Sequence, residues 1–192
     1  MPELILASTS PYRRALLERL GIPFSAEPPQ TPEDPLPDEL PQDLALRLAI
    51  AKAQAVAARH PEALVIGSDQ VASAGTTVLE KPGDIMRCRG QLTLASGSSA
   101  RFHTACALIG ERAGIRLVHL DTTTVTFRAL SEEEIERYIE RERPFDCAGG
   151  FRAEGLGISL FESIESRDPT ALIGLPLIWL AGALRRAGLR VP

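Results

Sequence analysis

The sequence predicts a single α/β domain that spans residues 1–192. Two apolar runs, residues 3–8 and 63–71, have the composition of buried strands. Segments with helical periodicity alternate with these and other strand-like segments along the chain, which is the order typical of an α/β protein. The sequence contains no internal repeat, low-complexity tract or linker, and its 192 residues suffice to bury a large core.

The boundaries of the predicted elements follow from local signals. Ser10 suits a helix N-cap and Pro11 suits the first helical position, so a helix is expected from there to about Leu20, before Gly21. The later elements are predicted in the same way and are, in chain order, an acidic proline-rich surface loop at 27–42, a helix at about 40–60, a strand at 63–71, a turn-rich segment at 75–84, a helix near 85–95, a hairpin at about 101–110 and 117–128, a charged helix at 131–143, a glycine-rich segment at 146–166 and a helix at about 170–187.

The composition excludes several classes of protein. A net charge of −4 disfavours bulk electrostatic binding to nucleic acid, although a local basic pocket for a small anion is compatible with it. No segment approaches the ~18 consecutive apolar residues of a membrane span. The cysteines are three in number and widely spaced, which disfavours a disulfide framework or a zinc site. We therefore expect a cytoplasmic protein without a membrane or nucleic-acid partner.

The use of basic residues is uneven. Nineteen of the 21 basic residues are arginines, and the only lysines are Lys52 and Lys81. An ammonium is a compact, strongly hydrated point charge, whereas a guanidinium is a broad planar fork, so the two are not equivalent at a tight phosphate contact. Both lysines are therefore candidates for a specific role, unless their survival is accidental.

The first helix is predicted to direct one arginine inward. Arg13 precedes Leu16 and Leu17 by three and four positions and so lies on the apolar face, while Arg14 is turned away. An arginine at a helix N-terminus adds its charge to the positive end of the helix and suits an anion. Ser8, at the end of the preceding strand, adds a hydroxyl donor. The alternative is an arginine paired with a carboxylate in the core.

Three further residues complete a candidate site. Lys52 lies on the apolar face of the second helix and needs an acidic partner or an anionic ligand, unless its ammonium reaches solvent. Asp69 ends the strand at 63–71 and is a candidate base or metal ligand, or else a helix cap. Lys81 lies in a proline–glycine turn. Three cations with Asp69 and the acidic loop form the set expected around a metal-bound polyphosphate.

Two common nucleotide-binding folds are disfavoured. The sequence has no Walker-type Gly-x-x-x-x-Gly-Lys-Ser/Thr motif, and no Gly-x-Gly-x-x-Gly motif follows the first strand. A P-loop nucleoside triphosphatase and a Rossmann dehydrogenase are therefore not expected.

The chain resembles the Maf-like nucleotide pyrophosphatases, which are related in fold to the inosine triphosphatases. The matching segments extend from Leu4 to about Leu184 and include LILASTSPYRRALLERLGI, IAKAQAVA, VIGSDQV, EKPGD and CAGGFRAEGLGISLFESIESRDPTALIGLPL. The resemblance implies a mixed, twisted sheet flanked by helices, with a cleft. It also implies hydrolysis of a nucleoside triphosphate at the α-phosphorus, giving the monophosphate and pyrophosphate.

The resemblance also implies roles for individual residues. Asp69 matches the general base or a metal-linked acid, and the phosphate-binding positions match Ser8, Arg13, Lys52 and Lys81. A divalent cation, Mg²⁺ or Mn²⁺, is implied, with Glu33 and Asp69 as ligands. Pro32 stands where the family pattern has an acid, so the neighbouring Asp34 is an alternative ligand.

The residues expected to contact the base match the branch of the family that acts on 7-methyl-GTP. The pyrimidine-directed branch has arginine at the position of Tyr12, threonine after the aspartate where Gln70 stands, and glutamine at the position of Glu154. N7-methylguanine is cationic, so an aromatic face attracts it and an arginine repels it. Tyr12 and Glu154 are therefore predicted to form a cage for the base, with Gln70 contacting another edge.

Other functions remain open at this stage. One is a pyrophosphatase for dTTP, UTP or another modified nucleotide, and another is a nucleotide-binding regulator of septum formation with little turnover. The expected partner is a small nucleotide, and a homodimer is possible.

Overall fold

The structure is a computed structural model of the chain and describes residues 2–75 and 77–191. Within these residues the strands are β1 (Leu4–Ala7), β2 (Ser25–Ala26), β3 (Leu64–Ala74), β4 (Thr77–Leu79), β5 (Ser99–Gly110), β6 (Ile115–Phe127) and β7 (Phe161–Glu165). The α-helices are α1 (Pro11–Glu18), α2 (Pro41–Ala57), α3 (Ile85–Ala95), α4 (Glu132–Glu142) and α5 (Leu177–Arg186). Short 3₁₀ turns occur at Ala148–Gly150, Leu156–Leu160 and Ala171–Ile173.

The described strands form one mixed sheet in the order β2-β1-β3-β5-β6-β7, with β4 paired to β3. β1 is parallel to both β2 and β3, whereas β4 is antiparallel to β3 and β7 is antiparallel to β6. This arrangement of strands and helices confirms the predicted α/β class with a mixed sheet.

The chain divides into two compact units. Unit 1 contains the chain up to Gln70, Thr104–Asp121 and the chain from Asp168 onward, and unit 2 contains Val71–His103 and Thr122–Arg167. The assignment of residues 1–192 to a single domain stays a prediction.

In unit 1, alternate residues of β1 and β3 face two different sets of helices. Leu4, Leu6, Leu64 and Ile66 pack with apolar residues of α1 and α5. Their neighbours along the strands, which include Ile5 and Val65, pack instead with the alanine-rich face of α2. Strand side chains alternate between the two faces of a sheet, so both faces of these parallel strands are covered, which is why they read as continuous apolar runs.

Helix α2 approaches β3 closely at Gly67. A Cβ atom at this position would lie 2.6 Å from the amide nitrogen of Ala53 and would also meet the carbonyl oxygen of Ala49. Only glycine allows the backbones of the strand and the helix to pass at this distance. The contact brings the central turns of α2, including Lys52, against the middle of the strand, which continues to Ala74 and does not end near Asp69 as the sequence predicted.

Unit 2 has an aromatic core of its own. Phe151 makes edge-to-face contacts with Phe102, Phe127 and Phe161, with ring centroids 4.8–5.4 Å apart. Such pairs favour packing beyond the burial of their area. Helix α4 begins with the predicted capping box, in which the Ser131 hydroxyl accepts from the Glu134 amide and the Glu134 carboxylate accepts from the Ser131 amide.

The predicted helix at 170–187 is wrong in its first part. Residues Ala171–Ile173 form a 3₁₀ turn, the chain then bends at Gly174, and α5 begins only at Leu177. Gly174 has φ of 123°, and Pro176 has no amide hydrogen to donate, so a continuous helix is not possible there. The other predicted helices agree with the structure to within a few residues.

No helix in the described part of the chain is both long enough and apolar enough to cross a membrane.

Gly67→Ala is expected to lower the free energy of unfolding by about 3 kcal/mol, because the new methyl group would meet backbone atoms of α2 that cannot move without separating the helix from the sheet. Urea unfolding followed by circular dichroism measures the change. The control is Gly90→Ala on the exposed side of α3, where a Cβ atom has no neighbour within 4 Å. This control should gain up to about 1 kcal/mol, since alanine favours a helix. Equal stabilities for the two variants would contradict the close approach.

Candidate active site

The candidate site lies where β1 ends and β3 continues. Ala7, the last residue of β1, is in register with Gly67, and β3 then runs on to Ala74. Asp69 is thus two residues beyond the end of its parallel neighbour. Ligands of open α/β sheets bind at the carboxyl ends of strands, where neighbouring strands leave a crevice of this kind.

Asp69 and Lys52 form a buried ion pair at this edge. Asp69 shares a face of β3 with Gly67, and that face is the one covered by α2. The Lys52 Nζ atom donates to Asp69 Oδ1 over 2.5 Å, and the two residues are only 5% and 7% exposed. The prediction that Lys52 lies on the buried face is confirmed, and of the two predicted kinds of partner, an acidic residue or an anionic ligand, the structure shows the acidic residue.

The ammonium of Lys52 has a second acidic partner. Glu33 Oε1 lies 2.7 Å from Lys52 Nζ, although 62% of the Glu33 side chain remains exposed. The contact to Lys52 is made by Glu33 and not by the neighbouring Asp34, whose main-chain carbonyl oxygen accepts from Arg47. Two carboxylates therefore converge on one cation, and a third hydrogen of the ammonium remains for a further acceptor.

The loop that carries Glu33 is tied to α2 by arginines. Arg47 donates from Nε and Nη2 to the two carboxylate oxygens of Glu39, over 2.6 and 2.7 Å. These hydrogen bonds from Arg47 lower the pKa of Glu39 to about 2, so the pair is ionised at neutral pH. Beyond the end of α2, Arg59 makes a similar pair with Glu27, and its hydrogen bond lowers the pKa of that carboxyl.

The N-terminus of α1 follows directly after β1. The Ser10 hydroxyl accepts from the Arg13 amide and caps the helix, as predicted. Ser8 is buried, and its hydroxyl accepts from the Ser10 amide over 3.1 Å, which leaves the hydroxyl hydrogen available for donation. Arg13 is half-buried while Arg14 is exposed, which agrees with the predicted orientation.

Arg13 is held in place by a main-chain carbonyl. Its Nε donates to the Gly174 carbonyl oxygen over 3.0 Å, and the Ser68 hydroxyl donates to the same oxygen over 2.9 Å. A guanidinium has five donors, so this bond orients the side chain and leaves most of its donors for an anion. Arg13 thus binds a main-chain carbonyl. The alternative interpretation predicted a carboxylate in the core as its partner.

Gln70 faces the same segment. Its Nε2 atom lies 2.9–3.0 Å from the Thr104 hydroxyl and from the carbonyl oxygens of Ala171 and Leu172. These acceptors compete for the two hydrogens of the amide, so any contact of Gln70 with a base falls to its side-chain oxygen. Its predicted role in base recognition stays a prediction.

A buried network that the sequence reasoning missed shapes this segment. Asp168 is 3% exposed and accepts from the Thr170 amide and hydroxyl and, over 2.7 Å, from the Ile178 amide at the start of α5. The Thr170 hydroxyl in turn accepts from the Leu177 amide. The signal was present in the sequence, since Asp-Pro-Thr is typical of an Asx turn.

The remaining predicted site residues are placed as follows. Tyr12 is half-buried in the first turn of α1, in unit 1. Lys81 is exposed in the segment between β4 and α3, and Glu154 is exposed in a turn before Leu156–Leu160. Both belong to unit 2, so their predicted roles toward phosphate and base stay predictions.

The donors near Lys52 fit a magnesium-like ion. Among residues 2–75 and 77–191 no cluster of three or more histidine, cysteine or acidic side chains is suited to hold a metal. Asp69 and Glu33 instead offer two neighbouring carboxylates. Mg²⁺ is commonly bound by one or two carboxylates, with water and substrate phosphates completing its octahedron.

The chain is similar in sequence to one family of known proteins. A family model described as Maf-like protein matches residues 3–187. The chain is similar to proteins named 7-methyl-GTP pyrophosphatase from Xanthomonas axonopodis pv. citri (56% identical, covering 100% of both chains), Aromatoleum aromaticum (52%, 99% of this chain and 98% of the other) and Hahella chejuensis (49%, 100% and 96%). A solved HAM1 protein from Coxiella burnetii shows a slighter likeness, with 16% identity, a TM-score of 0.42 and coverage of 66% of this chain and 73% of the other.

Lys52→Met is expected to lower the free energy of unfolding by about 3–5 kcal/mol, because it leaves Asp69 buried without its cation. Adding Asp69→Asn to the same chain should restore part of that loss, since no unpaired charge then remains. Urea unfolding of the two single variants and the double variant measures the coupling. If the losses of the single variants simply add, the pair does not interact as described.

Proposed function

This chain belongs to the Maf-like protein family, and from this premise we propose that it is a nucleoside triphosphate pyrophosphatase that acts on 7-methyl-GTP. The products are 7-methyl-GMP and pyrophosphate. The observation that carries the proposal is the buried Lys52 ammonium, which is held between the carboxylates of Asp69 and Glu33. Relatives that are 49–56% identical over the full chain are named 7-methyl-GTP pyrophosphatase.

Asp69 is the proposed general base. A water molecule attacks the α-phosphorus, its proton passes to the Asp69 carboxylate, and the α–β bridging oxygen leaves with pyrophosphate. Lys52 binds Asp69 Oδ1 and keeps the carboxylate in one orientation. Positioned general bases of this kind contribute about 10²–10⁴ to the rate.

Phosphate oxygens are proposed to bind to donors after β1 and on α2. These are the Ser8 hydroxyl, the Arg13 guanidinium beyond its bond to Gly174, and the third hydrogen of the Lys52 ammonium. The partial positive charge at the start of α1 adds to them. Lys81 is assigned to the same role by the family resemblance.

A divalent cation, Mg²⁺ or Mn²⁺, is proposed to be held by Asp69 and Glu33. When bound, it would neutralise charge on the phosphate oxygens. Glu33 and Asp69 suit this role because both are oxygen donors that already meet at one cation.

Base selection is assigned to Tyr12, with Glu154 and Gln70. An aromatic ring attracts the cationic N7-methylguanine by stacking and cation–π contact, worth roughly 0.5–2 kcal/mol. A carboxylate at Glu154 suits the N1 and exocyclic donors of guanine, and the side-chain oxygen of Gln70 is its remaining contact atom.

We further propose that the enzyme works in the cytoplasm on free nucleotides, without nucleic acid or membrane. The net charge of −4 disfavours nucleic acid. The three cysteines are free thiols, which suits a reducing compartment. A homodimer stays a prediction.

Asp69→Asn is expected to reduce kcat on 7-methyl-GTP by about 10³-fold, because an amide cannot take up the proton of water. Pyrophosphate release, measured with Mg²⁺ or Mn²⁺ over 7-methyl-GTP, GTP, UTP and dTTP, tests both the function and the variant. Asp43→Asn, an exposed change on α2, is the control and should stay near the wild-type rate. A loss of kcat of less than tenfold in Asp69→Asn would contradict the role of Asp69 as general base. If the wild-type protein releases pyrophosphate from none of the nucleotides, a nucleotide-binding regulator is favoured instead.

Tyr12→Arg is expected to lower kcat/KM for 7-methyl-GTP by about tenfold relative to UTP, because the new charge repels the methylated base. Steady-state kinetics with both substrates measure the ratio. Tyr12→Phe serves as the matched variant, since it keeps the ring, and it should retain most of the preference. Equal losses on both substrates in Tyr12→Arg would refute the aromatic contact.

A further inference from the structure

Two arginines bind residues 27–39 of the acidic loop near the two ends of this segment. Arg47 lies on α2, and Arg59 lies just beyond the end of α2. At the start of the segment, Arg59 binds the Glu27 carboxylate and donates to the Pro28 carbonyl oxygen over 3.0 Å. At the end of the segment, Arg47 binds the Glu39 carboxylate and donates to the Asp34 carbonyl oxygen, also over 3.0 Å. Each arginine thus combines one carboxylate with one main-chain carbonyl of the loop.

The two attachments differ in their distance from Glu33 along the chain. Pro28 is five residues before Glu33, whereas Asp34 is its immediate neighbour. The segment held by Arg47 also has a hydrogen bond of its own, in which Glu39 Oε2 accepts from the Leu36 amide over 3.0 Å. Arg47 therefore fixes the turn that directly follows Glu33, and Arg59 does not.

Glu33 lies in an irregular part of the loop and is largely in solvent. The loop has no regular secondary structure around Glu33, and the Glu33 side chain is 62% exposed. Because most of the Glu33 side chain is in solvent, the entropy it loses on binding Lys52 opposes the Coulomb attraction. Fixing the backbone beside Glu33 removes part of that entropic cost before the contact with Lys52 forms.

We propose that Arg47 is a positioning residue of the site: by holding Glu39 and the Asp34 carbonyl, it keeps the Glu33 carboxylate on the Lys52 ammonium. The inference rests on the proposed function in so far as Glu33 serves the reaction there. Arginine suits the task and lysine does not, because a planar guanidinium reaches both carboxylate oxygens and the carbonyl at once.

A kinetic double-mutant cycle tests whether Arg47 acts through Glu33. In the otherwise wild-type chain, Arg47→Gln is expected to reduce kcat/KM by about tenfold, as residues that orient a ligand do. In a Glu33→Gln background the same change should cost less than about twofold, because the side chain it positions is gone. Equal losses in both backgrounds overturn the proposal, since a general loss of structure would act in both. If Arg47→Gln does not fold, Arg47→Lys replaces it.

Carbodiimide cross-linking reads the contact without turnover. This reagent joins a lysine to a carboxylate in contact with it, so Lys52 should couple to both Glu33 and Asp69. The ratio of Lys52–Glu33 to Lys52–Asp69 products, measured by mass spectrometry, is expected to fall severalfold in Arg47→Gln. An unchanged ratio overturns the proposal.

Arg59→Gln is the matched control in both experiments. It removes the same kind of ion pair from the same loop, and it should leave the cross-link ratio and kcat/KM close to wild type. Equal effects of Arg59→Gln and Arg47→Gln overturn the specific role of Arg47. If the wild-type chain hydrolyses no nucleotide, the proposed function fails, and the cross-link ratio still decides the role of Arg47.

Discussion

The site depends on one constraint, which is that a buried ammonium must meet negative charge. Lys52 lies in the middle of a helix, next to alanines packed on the sheet, and the residue is only 5% exposed. Desolvating such a group costs several kcal/mol unless partners compensate for it. Asp69 comes from the strand and Glu33 from the acidic loop, and the need to neutralise Lys52 thus joins three separate parts of unit 1.

Strand β3 serves two surfaces because its side chains alternate. Gly67 and Asp69 face α2, whereas Ser68 and Gln70 donate to carbonyl oxygens of the segment before α5. On the α2 side, this part of β3 therefore places Asp69 in the candidate site. On the opposite side, Ser68 binds the Gly174 carbonyl oxygen that also accepts from Arg13. A shift of one residue in this strand would exchange the two roles.

The sequence predicted what depends on local pattern and solvation. The fold class, the inward Arg13 and the acidic partner of Lys52 followed from periodicity and from the cost of burying charge. The scarcity of lysine in the sequence made Lys52 and Lys81 equal candidates for a specific role. In the structure Lys52 is buried and Lys81 is exposed. Asp-Pro-Thr signals only the local turn at Asp168, and the bond from Asp168 to the Ile178 amide depends on a contact with α5. The contact of Lys52 with Glu33 and not Asp34, and the exact place of the bend before α5, likewise depend on contacts between remote or irregular segments.

The Asp168 network couples the C-terminal helix to the bend that precedes it. Helix α5 has no side-chain cap of its own at Pro176, and its first amides are satisfied by Asp168 and Thr170 from upstream of the bend. Ten residues are too few for a helix to persist alone in water. The helix consequently becomes stable only together with the bend at Gly174, so the carbonyl that orients Arg13 is in place whenever the C-terminal helix has folded.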